Sequence, residues 1–120
     1  MYLSVIIPAY NEEKHIKNTV ESIYVYLSDK KIEHEIIVVT DGSRDRTDEI
    51  VNSMIVRIPT LSLLRFADNN GKGYAVKRGM MNAIGDFRLF TDADNATSID
   101  HIEKMMPFLN QGYDVVVGSM

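Results

Sequence analysis

The sequence predicts an α/β fold, a mostly parallel sheet with helices on both faces, and three observations predict it. Short β-branched apolar runs alternate with stretches of helical period along all 120 residues, which is the pattern of βαβ units. Each apolar run is continuous rather than alternating, as in strands covered on both sides. The polar clusters follow the apolar runs, so they gather at the carboxyl ends of the strands, where open parallel sheets bind ligands.

The first strand is read at Leu3–Ile7. A helix over Glu13–Leu27 follows, with Ile16, Val20, Ile23, Tyr24 and Leu27 on one face at steps of three and four. Ile36–Val39 is the second strand, and Thr47–Met54 the second helix, with Asp45 as its expected N-cap and Asp48 as a favourable first-turn charge. The third strand, Leu61–Leu64, leads to a helix over Gly73–Ala83; the fourth, Arg88–Thr91, leads to one over Ile99–Leu109 behind Thr97 and Ser98 as cap candidates. Val115–Val117 closes the series. No repeat, low-complexity tract or linker interrupts it, so 1–120 is one domain.

Composition narrows the function. With 45% hydrophobic and 25% charged residues the chain can bury a real core, and a formal charge of −4 without a basic stripe argues against nucleic acid. The absence of cysteine excludes a disulfide framework or thiolate metal site and fits a cytoplasmic setting, or the cytoplasmic face of a membrane in a longer protein. No apolar run approaches the roughly 18 residues that span a bilayer, and the N-terminus lacks a signal-peptide pattern. Membrane association would come through other segments. His15, His34 and His101 are scattered and are read as solvated.

Phe90-Thr91-Asp92-Ala93-Asp94-Asn95 carries the chemistry. Side chains at i and i+2 of a strand share a face, so Asp92 and Asp94 can grip one divalent cation. A hard cation such as Mg²⁺ or Mn²⁺, held by one or two carboxylates, keeps positions open for substrate phosphates. Asp41-Gly42-Ser43 is either an ordinary turn or a base-reading acid, with Asp41 accepting from the imide of uracil or from N1–H of guanine. Asn70-Gly71-Lys72-Gly73 is either a solvated loop or an anion cradle, since its glycines admit close backbone approach and Lys72 supplies an ammonium before a helix. It is not a Walker P-loop. Pro8-Ala9-Tyr10-Asn11-Glu12 is either a rigid strand exit with Asn11 capping the helix or a donor wall, with Tyr10 stacking on a base and Glu12 accepting from base or ribose.

Competing motif readings fail on specific positions. An EF-hand counted from Asp92 would place Ala96 at position five and Thr97 at the obligatory glycine. An aspartyl-phosphate phosphatase needs its nucleophile after the first strand, whereas this pair follows the fourth. A dinucleotide oxidoreductase needs G-x-G-x-x-G where the chain has Pro8-Ala9-Tyr10.

These segments together resemble the nucleotide-binding half of glycosyltransferase family 2, the inverting GT-A enzymes. The resemblance runs through Val5 to Glu13, Val38 to Thr47, Asn70-Gly71-Lys72-Gly73 with Ala75-Val76 and Arg78-Gly79-Met80, Asp92-Ala93-Asp94, and Val116-Val117-Gly118-Ser119. Gly71-Lys72-Gly73 and Asp92 to Thr97 make it most similar to dolichyl-phosphate glucosyltransferases and related polyprenyl-phosphate sugar synthases. The resemblance implies a GT-A, Rossmann-like sheet truncated after about the fifth strand, with 1–120 as the nucleotide-sugar-binding part. It implies Pro8, Tyr10, Asn11, Glu12, Val39, Asp41, Gly71, Lys72 and Ala93 as donor-binding residues and Asp92 and Asp94 as catalytic metal ligands. The implied reaction moves a hexose from a nucleotide diphosphate sugar to a polyprenyl or dolichyl phosphate, with Mg²⁺ or Mn²⁺. A binding module without turnover, or transfer to a saccharide hydroxyl, is the alternative. Thr40 stands where many members have a first acid, Ala96 where phosphomannosyl relatives have Gln, and Met120 where Arg usually follows Gly-Ser. The Ala96 departure shifts the expected donor from GDP-mannose towards UDP-glucose. Apolar sheet edge around Val115–Val117 would favour self-association.

Overall fold

A computed structural model of the chain describes residues 2–93, 104 and 115–117. The elements are β1 (Tyr2–Ala9), α1 (Ile16–Asp29), β2 (Glu33–Asp41), α2 (Thr47–Ile55), β3 (Leu61–Phe66), α3 (Lys72–Asn82), β4 (Phe87–Phe90) and β5 (Val115–Val117). The five strands form one sheet in the order β3-β2-β1-β4-β5, and every pairing is parallel. The helix expected over Ile99–Leu109, with Thr97 and Ser98, lies outside the described residues apart from Lys104.

The chain steps from β1 to β2 to β3 in one direction, then crosses back over β1 to reach β4. Crossovers between parallel strands are right-handed. Reversing the direction of travel therefore moves the connecting helix to the other face. Leu3, Val5, Ile7 and Leu89 pack with Ile16, Val20, Ile23 and Leu27 of α1 and Val51 and Met54 of α2 on one side. Ile6, Ile37, Val39 and Phe90 pack with Ala75 of α3 on the other, flanked by half-buried Val76 and Met80. Each fully buried Leu or Ile contributes about 1.5–3 kcal/mol, so the central strands supply most of the stabilisation. Gly79 lets α3 lie close, since a Cβ there would stand 2.6 Å from Ile6 Cγ2 and 3.0 Å from Val39 Cγ2.

Where strands outrun the apolar pattern, pairing explains it. β1 continues through Pro8, which pairs with β2 at Val39, while the β1–β4 ladder ends at Ile6–Phe90. Proline fits there because no N–H is demanded beyond the end of β4. β2 starts at polar Glu33-His34-Glu35 because that stretch lies opposite Tyr2, Leu3 and Ser4. Glu35 Oε2 accepts the Ser4 hydroxyl at 2.5 Å and the Ile84 N–H at 2.7 Å. His34 is buried rather than solvated, its ring nitrogens meeting the Ile32 carbonyl at 2.9 Å and the Thr60 hydroxyl at 3.0 Å. β3 is an edge strand with Ser62 and Arg65 exposed, so it is not covered on both faces as its apolar run implied. Arg65 Nε ties it to Asp48 Oδ2 of α2 at 2.7 Å.

Two capping expectations are corrected. α1 begins at Ile16 with His15 as N-cap, so Asn11 does not cap it. The N–H groups of Glu12 and Glu13, which would have opened a helix at 13, go instead to Thr47 Oγ1 at 2.8 Å and Asp45 Oδ2 at 3.1 Å. The N-cap of α2 is Arg46. Asp45 acts one residue earlier, its Oδ1 accepting from the Thr47 N–H at 2.9 Å and the Thr47 hydroxyl at 2.5 Å.

Replacing glycine by alanine inside a helix gains about 1 kcal/mol, which overpacking of about 1–3 kcal/mol cancels or exceeds. Valine at Gly79 lacks most of that gain and adds methyls against stiff, fully buried Ile6. Gly79→Val should lower stability by about 2 kcal/mol in urea melts; an unchanged midpoint would contradict the close approach of α3.

Candidate functional site

The strand order reverses between β1 and β4, and a cavity of about 450 Å³ opens there at the carboxyl ends of the strands. Pro8, Tyr10 and Glu12 line it from the exit of β1, Asp41 from the end of β2, Gly71 and Lys72 from the start of α3, and Asp92 and Ala93 from the exit of β4. Residues far apart in the chain thus meet in one space. Asn69, just before the glycine loop, and Ala75, part of the Ala75-Val76 match, also line it. Three residues named from the sequence stand elsewhere or are undescribed. Val39 is fully buried beneath the site, Asn11 lines a neighbouring recess with Glu13, His15 and Arg44, and Asp94 lies outside the described residues.

Asp41 is both wall and clamp. Its carboxylate is buried and receives the Asn70 N–H at 2.9 Å on Oδ2 and 3.0 Å on Oδ1, and the Gly71 N–H at 2.6 Å on Oδ2. Backbone amides bonded to a carboxylate are among the stronger hydrogen bonds in proteins. They fix the loop that presents Lys72. Gly42, at φ 77°, lets the same loop approach, since a Cβ would lie 2.6 Å from Asn69 N and 2.7 Å from the Asp68 carbonyl carbon. Gly71, at φ 96°, turns the chain into α3. The rings of Phe66 and Tyr74 meet edge-on at 5.3 Å, with Arg78 over Phe66 at 5.4 Å, and hold the start of α3 to the end of β3.

Asn11 fastens the β1 exit to the next loop, its N–H donating to Ser43 Oγ at 3.0 Å and its Oδ1 accepting from the Arg44 N–H at 2.8 Å. Its φ of 54° is a conformation asparagine tolerates better than most residues. The side chain is thus engaged within the protein. Asp45 extends this seam. Burial pushes its pKa up, but hydrogen bonds from the Thr47 hydroxyl and from the Thr47 and Glu13 amides outweigh that, leaving it below the usual value of 3.8.

On the β4 side, Lys72 Nζ is ion-paired with Asp92 Oδ1. β4 ends at Phe90, so Asp92 stands in the loop beyond it and the shared-strand-face argument for Asp92 with Asp94 does not hold. Ala93 is buried against α1, and its carbonyl accepts the hydroxyl of fully buried Thr19 at 2.6 Å. Thr19 was missed from sequence. The signal was there: it is the polar member of the α1 stripe Ile16, Thr19, Val20, Ile23 and Leu27.

The carboxylates in the cavity wall, Glu12, Asp41 and Asp92, are hard oxygen donors of the kind Mg²⁺ and Mn²⁺ take. Asp41 is already occupied by backbone amides, which leaves Glu12 and Asp92, and of these Asp92 is the one the motif names as a cation ligand. Among the described residues no group of three or more His, Cys, Asp or Glu is assembled to hold a metal by itself.

The profile of glycosyl transferase family 2 matches residues 4–120. The chain is similar to a dolichyl-phosphate beta-glucosyltransferase of Trichomonas vaginalis, 37% identical over 131 aligned positions that cover 99% of this chain and 40% of the relative. It is also similar in structure to S. aureus TarS 1-349, with a TM-score of 0.71 and 30% identity over 90% of this chain and 33% of that one. A Pyrobaculum calidifontis mannosyltransferase in complex with GDP-Man and Mn²⁺ superposes with a TM-score of 0.69 at 28% identity, over 87% of this chain and 32% of that one. The chain spans about 40% or less of the length of the curated relatives it matches.

Two outcomes follow from the loop seams. Gly42→Ala should expose the 69–73 loop to hydrogen exchange at least tenfold faster, because both φ and the 2.6 Å approach resist a Cβ; unchanged exchange would show that the loop is held otherwise. The lowered Asp45 pKa means its stabilisation is present above the ordinary 3.8 and is lost as pH falls through the folded value below that. Asp45→Asn should therefore be less stable than the unsubstituted chain at pH 7, with the gap closing as pH falls below 3.8. A gap that stays constant with pH in thermal melts would refute this.

Proposed function

The chain belongs to glycosyltransferase family 2, and from that premise we propose that it is the nucleotide-sugar-binding part of an inverting hexosyltransferase that passes glucose from UDP-glucose to a dolichyl or polyprenyl phosphate. The single observation behind this reading is the pair formed by Asp92 and Lys72 in the wall of the switch-point cavity. A carboxylate and an ammonium that neutralise each other can each turn to a component of an incoming cation–diphosphate: Asp92 to the cation, Lys72 to phosphate oxygens. Every charge then keeps a partner.

Asp92, joined by Asp94 through the resemblance, would hold Mg²⁺ or Mn²⁺, which when bound neutralises charge building on the departing nucleotide diphosphate. Lys72 does the same from the opposite wall, and the N-terminus of α3 adds the positive end of its dipole. Tyr10, 43% exposed at the rim, offers a ring to the base. Asp41 offers an acceptor to the N–H of either base. Its carboxylate already accepts two amide N–H groups, Gly71 on Oδ2 and Asn70 shared between Oδ2 and Oδ1, which leaves acceptor capacity for a base N–H. The imide N–H of uracil and the N1–H of guanine would both meet it, and the UDP-glucose preference rests on Ala96 instead.

A polyprenyl phosphate, with its second pKa near 6, arrives largely ionised at neutral pH and needs no strong general base from the protein. Single displacement then inverts the anomeric centre. The acceptor is a lipid, so transfer takes place at a membrane surface, on the cytoplasmic side. Among the described residues no helix is long and apolar enough to cross a membrane.

Calorimetric titration of UDP-glucose and GDP-mannose, with and without Mn²⁺, tests the reading. UDP-glucose should bind tighter, Mn²⁺ should enhance it, and Asp92→Asn should abolish that enhancement, a loss of at least tenfold or about 1.4 kcal/mol. Equal affinity of the Asp92→Asn variant in Mn²⁺ would refute the role of Asp92. Binding without sugar transfer to a short polyprenyl phosphate would favour a module without turnover.

A further inference from the structure

We propose that Thr19 is a positioning residue for the cation–diphosphate centre, acting from α1 through the main chain of Ala93; the role rests on the reading that Asp92 takes a cation. Thr19 is fully buried in the α1 stripe that packs under the sheet. A helical threonine ordinarily returns its hydroxyl to a carbonyl three or four residues back. This one donates at 2.6 Å to the Ala93 carbonyl, 74 residues away.

The position of that carbonyl gives the bond its consequence. The Thr91 N–H makes a ladder bond to the Ile6 carbonyl at 3.0 Å, and past it the chain leaves the sheet. Two things then hold Ala93: its methyl, buried in the core with Ile16 and Val20, and its carbonyl, held by Thr19. Asp92 directly precedes this fixed residue and lines the cavity. Valine would fill the same space on the stripe. What the hydroxyl adds is a fixed carbonyl directly after Asp92. Groups that orient a metal ligand from behind typically change metal affinity by about 10–100-fold when removed.

The test compares Thr19→Val with the unsubstituted chain, and Thr19→Ser with Thr19→Ala, a pair that differs only in the hydroxyl and decides the matter should the valine variant not fold. UDP affinity is titrated with and without Mn²⁺ alongside thermal unfolding. The hydroxyl-free variants should lose about tenfold or more of the Mn²⁺ enhancement, keep metal-free UDP affinity within about twofold, and Thr19→Ser should retain the enhancement. Full enhancement in Thr19→Val or Thr19→Ala overturns the proposal, and so does equal loss in the serine and alanine variants. A parallel fall in metal-free affinity and melting temperature would show a structural role only and overturn it too. No Mn²⁺ enhancement in the unsubstituted chain would overturn the cation reading itself, and the role of Thr19 with it.

Discussion

Right-handed crossover is the constraint on which this molecule depends. Travel from β1 to β3 runs one way across the sheet and the step to β4 runs back, so α1 and α2 cover one face and α3 the other. At the point of reversal, between β1 and β4, the exits of the two strands stand side by side. A gap lies above the strand ends there. The 450 Å³ cavity is that gap, and the groups with ligand chemistry hang from the strands on either side of it.

Acids at the carboxyl ends of the strands divide into two kinds. Asp41 and Asp45 accept main-chain N–H groups and knit the β1, β2 and β3 exits into one rim. Asp92 faces the cavity and is balanced by Lys72, a charge on the opposite wall. The distinction is one of hydrogen-bond inventory rather than residue type. A carboxylate that accepts main-chain amides is part of the scaffold, with only its remaining acceptor capacity left to read a base. A carboxylate paired with a mobile ammonium can exchange that partner for a metal ion.

The strands were legible because buried parallel strands are continuous apolar runs, and β5 lies where Val115–Val117 placed it. Their ends were less legible, because pairing rather than hydropathy sets them. Pro8 belongs to β1 since its missing N–H has no partner to serve, and His34 and Glu35 belong to β2 since Ser4 and Thr60 satisfy them. The convergence of Pro8, Tyr10, Glu12, Asp41, Gly71, Lys72, Asp92 and Ala93 on one cavity was readable from strand order alone. Their division of labour was not. That Asp41 clamps Asn70 and Gly71, that Asn11 ties loops together instead of capping α1, and that Thr19 reaches Ala93 are contacts across 29 to 74 residues. Short-range pattern carries no trace of such contacts, except where a hydroxyl interrupts an apolar stripe.

The central claim is that Asp92 exchanges the Lys72 ammonium for a divalent cation when a nucleotide diphosphate enters, while the Asp41-held loop stays in place. A crystal structure of the chain with UDP and Mn²⁺ tests this most directly. The account predicts Mn²⁺ within about 2.3 Å of an Asp92 oxygen, Lys72 Nζ on a phosphate oxygen, and the bonds from Asn70 and Gly71 to Asp41 intact. UDP bound with the Lys72–Asp92 pair unbroken and no metal beside Asp92 would contradict it.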